Sequence, residues 1–109
     1  MALTRDFKHT VQQRAEGDPD FRLGLLEEAI DAFLAADLLT GKLLLRDYVN
    51  ATQGFEALGR ELGRSPKSLM RMLSHAGNPR ADNLFTLLKH LEDCEGVALR
   101  VRASASADA

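Results

Sequence analysis

At 109 residues the chain is long enough for one hydrophobic core and too short for two ordinary domains. Its 14 Lys and Arg against 16 Asp and Glu give a formal charge of -2, which argues against a nonspecific nucleic-acid coat protein. The single cysteine, Cys94, excludes an intramolecular disulfide and fits a reducing compartment; no apolar run approaches the ~20 residues of a bilayer span, and MALTRDFKH lacks a secretion signal's apolar core, so a soluble cytoplasmic protein is expected.

Residues 4–17 have helical composition with Phe7 and Val11 one turn apart, a narrow sticky edge on a mostly polar segment. Gly17 ends that helix, and Asp18-Pro19-Asp20 restarts the chain with a capping residue and a first-turn proline. A second helix follows, with Phe21, Leu25, Leu26, Ala29, Ile30, Phe33 and Leu34 recurring at three and four residues and Glu27, Glu28 and Asp31 outside. Its end falls near Asp37. Thr40-Gly41 reads as the next break, before a third helix over residues 42–51 with Leu44, Leu45, Tyr48 and Val49 inward. Asn50 and Thr52 end it, and Thr52 is positioned to cap the helix that follows.

The segment FEALGRELGRSPKSLMRMLS, residues 55–74, reads as two short helices and a tight turn. Leu58 and Leu62 mark one face of the first, Gly59 is small where a second helix passes, and Gly63 supplies a left-handed stop. Ser65 caps the second helix and Pro66 opens it, where a missing donor costs nothing. This is the spacing of a helix-turn-helix at residues 52–74. At about 100° per residue, with Leu69 at zero, Met72 and Leu73 lie within roughly 60° while Lys67 and Arg71 fall near 160° and 200°, flanked by Ser68 and Met70. Such an edge suits the DNA major groove, where Lys and Arg donate to guanine O6 and N7. The charge supports it locally: residues 52–80 hold five cations against two anions, and residues 1–36 four against seven. The loop His75-Ala76-Gly77-Asn78-Pro79 follows, with Asn78 placed to lie against a phosphate.

A last helix spans about residues 81–93, with Leu84, Phe85, Leu88 and Leu91 on one face and Glu95-Gly96 as its stop. Over residues 97–102 the period changes: Val97, Leu99 and Val101 alternate with Ala98, Arg100 and Arg102, as in a half-buried strand. One strand needs a partner, so a second copy of the chain is expected to pair with it and make a homodimer. Residues 103–109 offer nothing large to bury and are expected to be disordered. His9, His75, His90 and Cys94 match no ligand spacing, and no phosphate loop or nucleophilic triad is present, so neither a metal, a cofactor nor an enzymatic activity is expected.

Over residues 2–101 the chain resembles a bacterial family of small helix-turn-helix regulators known as antidote, or antitoxin, proteins of addiction modules. The resemblance rests on ALTRDFK, DPDF, LLEEAI, TGKLLLRDYVNATQGFEALG, PKSLMRML, GNP, NLFTLL and EGVALRV taken together. It implies an all-α, lambda-repressor-like DNA-binding domain with a helical N-terminal extension and a C-terminal strand. It also implies repression of the chain's own operon and neutralisation of a small basic toxin of the RelE superfamily. By that resemblance Ser65, Lys67, Ser68 and Arg71 contact DNA. The chain departs from the pattern at Arg64, a turn position commonly apolar, and in its Ala/Ser/Asp tail. The acidic segment over residues 4–37, with Phe7 and Val11 as anchors, is the expected toxin-docking surface. Two alternatives remain open: a regulator without a toxin, and a protein-interaction module using the same cationic helix edge.

Overall fold

The structure, a computed structural model, describes residues 17–106. Residues 1–16, which hold all but Gly17 of the helix expected over residues 4–17, with Phe7, Val11 and His9, and the end of the tail, residues 107–109, lie outside them. Among the described residues every regular element is a helix: α1 (Pro19–Leu34), α2 (Leu38–Ala51), α3 (Gly54–Leu62), α4 (Pro66–Met72) and α5 (Ala81–Glu95). The chain divides into two compact units, residues 1–79 and 80–109.

In the first unit, α1 begins where the sequence places it. The Asp18 carboxylate accepts the Phe21 N–H at 3.1 Å and Pro19 opens the first turn. The helix ends at Leu34 with a left-handed residue that is not glycine: Ala36 has φ 63°, and its N–H donates to Phe33 while the Asp37 N–H donates to Ala32. Those two bonds close the end of α1 at the cost of an alanine in a conformation that favours glycine. Asp37 then caps α2, accepting the Thr40 N–H at 3.2 Å. The expected break at Thr40-Gly41 is therefore helical. Gly41 serves close packing instead, since a Cβ there would meet the Phe33 ring at 2.5 Å. The α1–α2 pair is the most extensive helix contact of this unit.

Thr52 does not cap α3. Its hydroxyl donates to the Tyr48 carbonyl at 2.8 Å, closing the end of α2, and Gln53 precedes α3 without a side-chain cap. α3 touches both α2 and α4. Leu26, Ala29, Leu45, Tyr48, Val49, Ala51, Phe55, Leu58, Leu69 and Leu73 are buried, so the apolar stripes of all four helices contribute to one interior.

In the second unit, α5 runs two residues further than expected and stops at Gly96, φ 71°, with the Val97 N–H returned to the Glu92 carbonyl. Its buried residues are Leu87, Leu88 and Leu91, whereas Phe85 is 65% exposed. On a helical wheel the leucines at 84, 87, 88 and 91 fall within about 100° of one another, and Phe85 lies roughly 60° beyond Leu88. The exposed pair Lys89–Asp93, 3.0 Å apart, holds the Lys89 ammonium above its ordinary pKa, chiefly through the hydrogen bond to Asp93. Residues 97–102 form no strand within the chain. The Leu99 N–H donates to the Glu92 carboxylate at 3.0 Å, and Val101 is exposed.

Candidate nucleic-acid interface

The turn between α3 and α4 is three residues long, Gly63-Arg64-Ser65. Gly63 takes the left-handed conformation, φ 69°, and the Arg64 N–H reaches back to the Gly59 carbonyl at 2.9 Å. Tightness of this kind needs Gly59 itself. A Cβ on it would stand 2.5 Å from the Arg64 carbonyl oxygen and 3.4 Å from the Pro66 ring. The sequence thus uses one glycine for backbone conformation and another for close approach.

Ser65 opens α4 by accepting the Ser68 N–H on its hydroxyl oxygen at 3.1 Å, which leaves the hydroxyl proton available to a partner. Leu69 and Leu73 are each 1% exposed, and from that anchored edge the opposite side of α4 turns outward. Lys67, Ser68, Met70 and Arg71 are all exposed there. Among the described residues no ion pair engages Lys67 or Arg71. Of the five residues expected to meet DNA, Lys67, Ser68 and Arg71 therefore lie exposed on one short helix, and Ser65 caps it.

The fifth, Asn78, belongs to a loop folded against the end of α4. The Ser74 N–H and hydroxyl both donate to the Arg71 carbonyl, at 3.1 and 2.7 Å, and the Gly77 N–H donates to Ser74 at 3.1 Å. Gly77 is pressed so closely on this helix end that a Cβ would collide with the Arg71 carbonyl oxygen. What holds the loop is a residue that sequence reasoning placed only as the start of a helix. Lys42 is 6% exposed, and its ammonium donates to the Gly77 carbonyl at 2.6 Å and to the His75 carbonyl at 3.2 Å. A buried cation so placed satisfies two loop carbonyls with charged donors. Its signal in the sequence was register, since Lys42 shares a stripe with Leu45 and Val49 at three- and seven-residue spacing.

Phe7 and Val11, the expected toxin anchors, lie outside the described residues. The expected dimerisation residues Val97 and Leu99 are half-buried and Val101 exposed, in the second unit. There the Cys94 thiol lies 3.5 Å from His90 Nε2, so the two share a face as their four-residue spacing requires. Comparison of the chain with protein families, with curated proteins and with solved structures gave no match. No helix among the described residues is long and apolar enough to cross a membrane.

Proposed function

We propose that the chain is a cytoplasmic, sequence-specific DNA-binding protein in which α3 and α4 form a lambda-repressor-like helix-turn-helix. The observation that carries this reading is the two-sidedness of α4: Leu69 and the C-capping Leu73 buried, Lys67, Ser68 and Arg71 exposed. A capped helix whose cationic edge meets no ion pair among the described residues suits the geometric demand of major-groove readout, which is a few side chains held by an anchored backbone. On the same reading the protein represses its own operon and neutralises a basic toxin of the RelE superfamily. Charge separation supports the second partner, because residues 18–37 hold six carboxylates and one cation, Arg22.

Titrating duplex DNA from upstream of the reading frame at several salt concentrations tests the DNA part. Affinity should fall steeply as salt rises, by a slope near one per phosphate contacted. Binding that ignores salt, or that is equal for unrelated duplexes under all conditions, would overturn it.

The homodimer belongs to the same proposal. In the single chain the Leu99 N–H uses the Glu92 carboxylate, and pairing with a second copy would exchange that side-chain acceptor for a backbone carbonyl in a two-stranded antiparallel ladder. Leu99→Asp should then sediment as a monomer. A Leu99→Asp dimer as tight as the parent's excludes this segment as the interface.

A further inference from the structure

The corner where α1 turns into α2 exposes four leucines. Leu34 closes α1 at 65% exposure; Leu38, Leu39 and Leu43 follow on the first turns of α2 at 53, 47 and 50%. Leu39 and Leu43 are one turn apart, so they share an outward edge. Leucines at about half exposure expose in all on the order of 400 Å², as much as the largest apolar patch of a typical soluble monomer, which is often functional. Nothing in the fold requires them outside, since the buried stripe of α2 is already supplied by Leu45, Tyr48 and Val49.

Carboxylates outnumber cations around the patch: Arg46, half-buried, follows Leu39 and Leu43 on the same stripe of α2, and against it stand three exposed carboxylates. Glu27, Asp31 and Leu34 recur at four and three residues along one stripe of α1, and both carboxylates are exposed. Asp37, in the turn itself, is exposed as well. We infer that this corner docks a basic, amphipathic segment of another protein: apolar side chains seat on Leu34, Leu38, Leu39 and Leu43, and Lys or Arg meet Asp31, Asp37 and Glu27. A second copy of this chain fits poorly. It would bring two sets of three carboxylates together with only Arg46 from each side to offset them, and the leucines offer about half of the ~800 Å² that each side of a standard stable interface buries. The inference locates the basic protein partner proposed above and rests on that part of the reading, while DNA binding by α4 is independent of it.

The full chain, with leucine methyls observed by NMR, is titrated with a leucine–lysine amphipathic peptide and with its leucine–glutamate counterpart. The lysine peptide should bind about tenfold more tightly or better, shift the methyls of Leu34, Leu38, Leu39 and Leu43, and lose about tenfold in affinity with Leu43→Ser. Leu39→Ser gives the same loss through a second anchor, and unchanged circular dichroism shows that either variant is folded. Asp31→Asn should weaken the lysine peptide alone. Shifts confined to residues elsewhere, or full affinity in both serine variants, would overturn the docking surface and leave the DNA reading standing. A contact between the Leu39 or Leu43 methyls and the Phe7 ring in the free chain, or a dimer abolished by Leu43→Ser, would overturn it by naming another occupant.

Discussion

Replacing Arg71 with alanine should weaken binding to the upstream duplex by about 1 to 3 kcal/mol per half-site, and so by twice that for a two-fold dimer. Arg71 lies near the end of α4 on the exposed side, without an ion pair among the described residues, so its guanidinium is free to present two parallel donors to a single guanine. The loss should be selective. Operators carrying every base at each position would show discrimination relaxed at one position per half-site and retained at the others. Lys67 sits in the first turn, beside the capping Ser65, and its ammonium is a point charge suited to phosphate. Lys67→Ala should weaken all sequences alike and lower the salt slope by about one per contact removed. The half-sites should stand about 34 Å apart or a multiple of it, as two-fold recognition helices require. If both variants bind like the parent at every salt concentration, the cationic edge of α4 is a solvated surface and DNA recognition lies elsewhere or does not occur.

Local signals carried most of the helix boundaries. Asp18-Pro19 and Ser65-Pro66 are read directly because a side-chain acceptor followed by a residue without an N–H answers the unsatisfied donors of a first turn, and both caps form as expected. Gly63 and Gly96 are legible for the same reason, each taking a positive φ at a helix end. Gly41 misled because glycine signals two different needs. Here the need was contact with the Phe33 ring, a tertiary fact that no local window contains. Thr52 misled because a hydroxyl between two helices can face either one, and its proton went back to the Tyr48 carbonyl. At the candidate site the exposed edge of α4 follows from its wheel. The support beneath it does not, because a lysine is ordinarily read as surface and the loop carbonyls that draw Lys42 inward lie 33 and 35 residues away.

That interior lysine, the buried polar residue among the described residues of the first unit, carries a large expected effect on stability. Lys42→Met keeps the aliphatic stem and its packing among the buried residues of α2, and removes only the ammonium. The His75 and Gly77 carbonyls then lose charged donors in a part-buried setting, where each such bond is worth about 1.5 to 3 kcal/mol. A net loss on the order of 3 kcal/mol in chemical denaturation is expected, with no change in the denaturant slope because the same surface unfolds. The damage should be local before it is global. Gly77 holds its place at the end of α4 through its own N–H to Ser74 and through Lys42, so its amide should lose hydrogen-exchange protection out of proportion to amides in α1. Lys42→Arg keeps the charge but brings a planar fork where the two carbonyls receive a compact ammonium, so it should restore only part of the loss. Asn78, one residue beyond Gly77, moves with this loop, and phosphate contact by it should weaken in Lys42→Met even under conditions where the chain remains folded. A Lys42→Met protein as stable as the parent, with Gly77 equally protected, would show that the ammonium only occupies this site and that the loop is held by α4 alone.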